Sequence, residues 1–388
     1  MKKKYYTALT LIILGGFLVL AAGNSAGYNS SETREIRILN SPQYNADAEK
    51  FVNAKPIELL SGSGFFKVMK EYWNAETIRV PLAKLPEDPP DLSELENISG
   101  DIRFMWFGHS TILLELEGKR ILFDPVFSKY ASPVWTPKRF QPPVYQVDEI
   151  KNIDFVVISH DHYDHLDHET IMKLSKRKEL KFLVSLGVGE HLENWGIPSS
   201  RIIEMDWWES AEQNGIQFVS TPAQHFSGRG VLDRNKTLWS SWTLIGKKRR
   251  VFFSGDGGYS DHFKIIGDKY GPFDLTFMEN GQYNVRWRDV HSLPHETVQA
   301  HIDLKGKAMV PIHWGMFELS LHDWFEPIVR AEYESKKRNV NLLTPMLGQL
   351  VSLNKHNQFL AWWKPYLPDG YLLAHDDGNK DTFNNNAN

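Results

Sequence analysis

The order of apolar segments predicts an α/β fold of two sheets flanked by helices. Short β-rich runs crowd the chain from Asp101 onward, and helical stretches interleave among the later ones. His/Asp groups stand where buried strands give out, which is where α/β proteins place chemistry. A length of 388 residues allows one large domain with additions or two ordinary ones.

From the N-terminus, Lys2-Lys3-Lys4 and the uncharged 15-residue run Ala8–Ala22 read as a signal peptide or membrane anchor over residues 1–23. Leu20-Ala21-Ala22-Gly23 resembles a bacterial lipoprotein box with glycine replacing the lipidated cysteine. The expected location is the bacterial cell envelope, in the periplasm or anchored on the outer face of the inner membrane. Residues 24–50 are polar and mixed and read as a flexible leader. Phe65, Phe66, Tyr72 and Trp73 form an aromatic patch that fits a helix. Lys84–Pro90 reads as a linker, because proline continues neither regular structure. Residues 24–100 thus form an extension ahead of a domain over 101–353.

Within that domain, Ile102–Phe107, Thr111–Leu116 and Arg120–Phe123 read as strands, the last two joined at Glu117-Gly118. Ile153–Ile158 is a buried strand by its apolar run. Asp167–Leu174 reads as a helix with Asp167 as N-cap. Lys181–Ser185, Ile202–Met205, Ile216–Ser220, Trp239–Ile245 and Arg250–Phe253 are further strands. Asp261–Lys269 and Pro294–Leu304 read as helices, and Ala308–Ile312 as a late strand. Residues 354–388 read as a tail, disordered from Asp376.

Composition narrows the function. A hydrophobic content of 41% supports a packed core, and a net charge of −4 speaks against a cationic nucleic-acid surface. The chain has no cysteine, so disulfides, thiolate ligands and a cysteine nucleophile are excluded together. Any metal must be held by nitrogen and oxygen.

The ten residues from Ser159 to His168 read Ser-His-Asp-His-Tyr-Asp-His-Leu-Asp-His and contain His160-x-His162-x-Asp164-His165. Imidazole and carboxylate are the ligands a borderline metal such as zinc takes. His225 in Ser220-Thr-Pro-Ala-Gln-His225, Asp256 in Ser254-Gly-Asp256-Gly-Gly and His313 in Pro311-Ile-His313 follow strands in the same way. Seven ligands divide into two sites if one carboxylate bridges. His160, His162 and His225 would hold one ion, Asp164, His165 and His313 the other, and Asp256 would join them. Each ion would keep a position for water.

This order of motifs resembles that of the metallo-β-lactamase fold superfamily. Trp106-Phe-Gly-His-Ser-Thr, Phe123-Asp-Pro-Val-Phe, Pro137-Lys-Arg-Phe, Met205-Asp-Trp-Trp-Glu, Pro222-Ala-Gln-His, Gly255-Asp-Gly-Gly-Tyr, Tyr270-Gly-Pro-Phe-Asp-Leu and Ile312-His-Trp-Gly narrow it. They look like the N-acylphosphatidylethanolamine-hydrolysing phospholipase D family, collinearly from about Asp101 to about Leu353. The resemblance implies a four-layer αββα sandwich with two zinc ions, iron or manganese being the alternative metals. It also implies a metal-dependent hydrolase that cleaves a phospholipid phosphodiester to phosphatidic acid and an N-acylethanolamine. Tyr283 and Arg286 match the family around Gly281-Gln-Tyr-Asn-Val-Arg286, whereas Asn284-Val285 departs from its Glu-Pro.

Asp164 and Asp256 are the candidates to orient the attacking hydroxide. His109 and Asp124, in strand-end loops, are candidates to brace the ligand imidazoles. Trp207 and Trp208, together with Arg229, Tyr283 and Arg286, are candidates for substrate contact, and Trp239 and Trp242 for the cleft wall. His291, His295, His301 and His322 lack the spacing of a further site and read as structural. Expected partners are a phospholipid or other phosphodiester substrate, a membrane surface and a second copy in a homodimer, but not nucleic acid. A dinuclear hydrolase of lactones or phosphosugar lactones, and a non-enzymatic envelope protein with a vestigial site, are the alternative readings.

Overall fold

Two sheets face each other across the largest core. In chain order the strands are β1 (Tyr44–Asn45), β2 (Lys50–Phe51), β3 (Arg103–Trp106), β4 (Ile112–Leu116), β5 (Lys119–Phe123), β6 (Phe155–Ile158), β7 (Lys181–Ser185) and β8 (Ile202–Met205). They continue as β9 (Ser210–Gln213), β10 (Ile216–Thr221), β11 (Ser241–Ile245), β12 (Arg250–Phe253), β13 (Leu275–Glu279), β14 (Met309–Ile312) and β15 (Leu350–Ser352). The helices are α1 (Glu32–Asn40), α2 (Phe65–Asn74), α3 (Leu92–Glu96), α4 (His168–Ser175), α5 (Gly189–Asn194), α6 (His262–Tyr270), α7 (Pro294–Asp303) and α8 (Glu326–Lys337). This computed structural model describes residues 32–371 apart from 60–63, 75, 135, 231, 356 and 358. The signal or anchor expected over 1–23 and the tail from Asp376 lie outside the described residues, as do the side chains of Phe65 and Phe66. No helix among the described residues is long and apolar enough to cross a membrane.

The seven-stranded sheet runs β15-β3-β4-β5-β6-β7-β8 and the six-stranded sheet β14-β13-β12-β11-β10-β9. Strands β5 to β8 and β12 to β14 pair in parallel, so their carboxyl ends gather at one edge of the sandwich. Period-two alternation sorts the side chains. Phe155 and Val157 enter the core between the sheets, while Val156 and Ile158 face α4 and α5. Phe253 and Phe277 enter the shared core, while Phe252 and Met278 face α6 and α7. Both faces are covered, which is why these strands read as unbroken apolar runs. Phe123 stacks on Phe253 across the core at 4.5 Å between ring centroids. The result is four layers, helix, sheet, sheet and helix. Asp167 caps α4, accepting from Glu169 N.

Residues 32–51 correct the expected flexible leader. Arg34 of α1 is buried and pairs with Glu193 at 2.8 Å and Glu204 at 2.7 Å, and Phe51 is fully buried beside Trp207 and Trp239. A helix whose inward residue is an arginine carries no apolar stripe to read. Lys84–Pro90 is likewise no free linker: Leu85 sits in the main core and its backbone pairs with the Gln141 amide. Beyond 353, Trp362 stacks on Trp314 and Trp363 is buried, so part of the expected tail belongs to the packed body.

Candidate metal centre

The candidate ligands stand at the carboxyl ends of the parallel strands. After β6 the chain turns through Ser159–Asp167, bringing His160, His162, Asp164 and His165 round one loop. His225 follows β10, Asp256 follows β12 and His313 follows β14. The turn before Asp256 needs Gly255, at φ +58°, because a Cβ there would lie 2.7 Å from that of Ser159. His109, Asp124 and His313 themselves adopt positive φ, at 52°, 37° and 65°. Such strain persists where surrounding contacts over-determine it: His313 N donates to His109 O at 2.9 Å and His109 N to Trp314 O at 3.0 Å.

Two groups of nitrogens and oxygens result. His160 Nε2 lies 2.8 Å from His162 Nδ1, and His225 Nε2 lies 3.3 Å from the same atom. Asp164, His165 and His313 gather in a second group together with His109. Asp256 lies between the groups. Its Oδ2 is 3.1 Å from His165 Nε2, 4.0 Å from His160 Nε2 and 3.9 Å from His225 Nε2, and its Oδ1 is 3.0 Å from His313 Nδ1. All seven side chains singled out in the sequence are therefore brought together.

Neighbouring groups fix the far nitrogens of three rings. His165 Nδ1 contacts Asp124 Oδ2 at 2.7 Å, and His225 Nδ1 contacts Val290 O at 2.9 Å. Ser159 Oγ donates to Asp124 Oδ2 at 2.6 Å and so accepts from His160 Nδ1 at 2.9 Å. Each ring thus turns its Nε2 lone pair inward. His109 Nε2 contacts Asp164 Oδ2 at 2.8 Å.

The electrostatics suit a cation. Burial, with nearby imidazoles adding to it, holds His160, His225 and His313 well below the usual imidazole range. Burial lowers His162 to about 4 despite Asp164 and Asp161. Neutral rings offer lone pairs, which a divalent ion placed among them would accept. Burial raises Asp256 to about 7. Burial opposes the charged form of His165, but Asp256, Asp164 and Asp124 outweigh it and push it well above its usual value. The field that would hold a proton there favours a metal ion as well. His165 Nε2 and Asp256 Oδ1 are buried without a hydrogen bond, as atoms reserved for such an ion would be. The donor set fits one or two divalent ions.

The centre opens on a cleft of about 390 Å³ lined by Leu59, Phe226, Arg234, Gln282, Trp287, Leu319 and His291 beside the candidate ligands. Most of the expected substrate contacts lie elsewhere. Arg229 is buried and donates to Asp161 O at 2.7 Å and Leu166 O at 2.8 Å, bracing the ligand loop from inside the protein. Trp207 is buried with its Nε1 on Trp239 O, and Trp208 stacks on Tyr270. Trp239 and Trp242 are core residues. Tyr283 is buried, donating to Glu326 Oε1 at 2.9 Å, and Arg286 pairs with Glu71 of α2 at 2.5 Å. Buried hydrogen-bond acceptors or apolar packing claimed these side chains, and for Arg286 a half-buried carboxylate did.

A β-lactamase superfamily domain model matches residues 119–314. The chain belongs to the metallo-β-lactamase superfamily. An uncharacterized protein of Mycobacterium tuberculosis is 40% identical over 359 residues, covering 90% of this chain and 95% of that one. The Caenorhabditis elegans N-acyl-phosphatidylethanolamine-hydrolyzing phospholipase D 1 is 39% identical over 233 residues, 57% of this chain and 65% of the nematode protein. A crystal structure of a possible metal-dependent hydrolase from Veillonella parvula shares the fold with a TM-score of 0.53 at 16% identity, over 65% of this chain and 99% of that one. The expected fold and family resemblance thus stand, and with them a metal-dependent hydrolase.

This metallo-β-lactamase superfamily member holds three site residues that sequence reasoning missed. His291, read as structural, lines the cleft; its Nδ1 contacts Glu279 Oε1 at the end of β13, and its ring lies 5.3 Å from that of His313. Glu279 also accepts from Gly257 N at 2.7 Å. Asn53, in the N-terminal extension, clasps the backbone of His225: its Nδ2 donates to His225 O at 2.7 Å and its Oδ1 accepts from His225 N at 3.0 Å. For His291 a signal existed in its place just ahead of α7; for Asn53 none did.

Proposed function

We propose that the protein hydrolyses a phosphodiester in a phospholipid, in the phospholipase D sense, with two divalent ions, zinc first among them. The observation that carries the metal centre is the meeting of two imidazole-rich groups on Asp256. Similarity to the nematode phospholipase D supports the substrate class. His160, His162 and His225 would hold one ion and Asp164, His165 and His313 the other, with Asp256 between them. Bound ions supply Lewis acidity, bringing the pKa of water toward neutrality and offsetting phosphoryl charge. The protein's own part is positional. Asp124 and Ser159 orient His165 and His160, and Asp164 and Asp256 accept a hydrogen bond from the attacking water. Hydrolysis delivers the water hydroxyl to phosphorus and its proton to the departing ethanolamine oxygen. Leu59 and Leu319 on the cleft wall suit an acyl chain. The basic start and apolar run before Gly23 support export to the envelope.

The test is a substrate panel with N-acylphosphatidylethanolamine, an aryl phosphodiester and lactones, run on the wild type and Asp256→Asn. Elemental analysis should find close to two metal ions per chain. Phosphodiester turnover that Asp256→Asn abolishes is the expected result. Turnover of lactones alone would refute the phosphodiesterase reading, and a protein that binds no metal would refute the centre.

A further inference from the structure

We propose that Arg234 anchors an anionic group of the substrate at the mouth of the cleft and sets a preference for charged over neutral esters. The inference rests on the phosphodiesterase reading for its substrate, not for its geometry. Arg234 is the one arginine or lysine among the described residues lining the cleft. Its guanidinium lies over the Phe226 ring, 5.1 Å from the centroid. Phe226 in turn lies 4.6 Å from the His162 ring and 4.7 Å from that of His225. The cation therefore sits two ring contacts from the candidate ligands.

No carboxylate neutralises it among the described residues. The nearest in sequence, Asp233, is spent on the loop itself, its Oδ1 accepting from Gly230 N at 2.7 Å and its Oδ2 from Arg229 N at 3.0 Å. Below, Asp161 ties the same loop to the ligand loop through Gly228 N at 2.7 Å and Thr237 Oγ1 at 2.9 Å. Arg234 thus projects from a fixed backbone. Its partner arginine on the loop, Arg229, turns inward and is consumed by main-chain carbonyls. An aromatic seat restrains the guanidinium without using its donors, which leaves a planar fork free for two phosphate oxygens. The cleft's apolar lining at Leu59, Trp287 and Leu319 would accompany the uncharged part of such a ligand.

The metal-loaded protein, as wild type, Arg234→Gln and Arg234→Lys, is titrated calorimetrically with diphenyl phosphate and with its neutral methyl ester. The expected result is a roughly tenfold fall in the diester-over-triester affinity ratio for Arg234→Gln, the loss of one charge-assisted contact. Arg234→Lys, which keeps the charge but not the fork, should fall in between. In turnover of an aryl phosphodiester, KM should rise more than kcat falls. An unchanged affinity ratio in Arg234→Gln overturns the proposal. Wild type that binds diphenyl phosphate with this Arg234 dependence but hydrolyses no phosphodiester would overturn the proposed function and leave the anion anchor standing. Melting curves identify a misfolded variant, in which case the Arg234→Lys ratio decides.

Discussion

Replacing Asn53 by alanine removes one amide from a segment about 170 residues away from the ligand it supports. His225 is fully buried, and both its backbone N–H and its C=O lose their partner. An orphaned buried polar group costs about 1–3 kcal/mol. Asn53 is itself only half-buried, so water replaces part of what is lost, which puts the total near the low end, about 2 kcal/mol. Trp239 Nε1 also touches Asn53 Oδ1 but keeps its bond to Ala223 O. With an unfolding entropy of about 2.1 cal/mol/K per residue, the loss corresponds to roughly 2.5 °C in Tm for a chain of this size. Metal affinity should suffer to a similar degree, since losing a group that orients a ligand typically costs about 10–100-fold. Differential scanning calorimetry and competition against a chelator measure the two effects. Asn53→Asp, which sets a carboxylate against His225 O, should do no better than alanine. Wild-type Tm and wild-type metal affinity in Asn53→Ala would refute the claim that the N-terminal extension shapes the centre.

Three further outcomes are expected. Asp124→Asn weakens the carboxylate that holds His165 and, through Ser159, His160; metal affinity should drop about 10–100-fold by chelator competition while the fold survives in circular dichroism. Arg34→Ala leaves Glu204 without its buried cation and should destabilise the protein by about 3 kcal/mol in urea unfolding, releasing α1 to proteolysis. His262 is buried away from the centre with its pKa lowered to about 3 by burial. Between that value and the unfolded value of about 6.5, only the unfolded chain binds the proton, so stability is full above about pH 6.5 and falls with acid, by up to about 1.4 kcal/mol per pH unit. His262→Gln should flatten that slope in urea titrations from pH 7 to 4.

Much of the fold was legible because its strands are buried on both faces. Lys181–Ser185, Ile202–Met205 and Arg250–Phe253 are strands over the residues expected. Strand β13, between a Gly-Pro turn and Asn280-Gly281, went unread, as did α8, which carries Pro327 in its first turn. The short strand β9 alternates only weakly in burial. Substrate contacts were read poorly for a different reason. Arg229 and Arg234 stand five residues apart on one loop, and nothing in their order says which turns inward. Asp161, Leu166 and the aromatic seat on Phe226 decide it.

The chain order alone determined the layered architecture and the candidate ligands, because a strand buried on both faces must be apolar throughout and a loop at its end is free to be polar. His160, His162, Asp164 and His165 declare themselves within one loop for that reason. Tertiary structure alone decided that Asn53 and His291 belong to the centre, and that Arg234 rather than Arg229 faces the cleft. Those choices depend on distances of a few ångströms between segments far apart in the chain, and such distances exist only once the two sheets have closed over their common core.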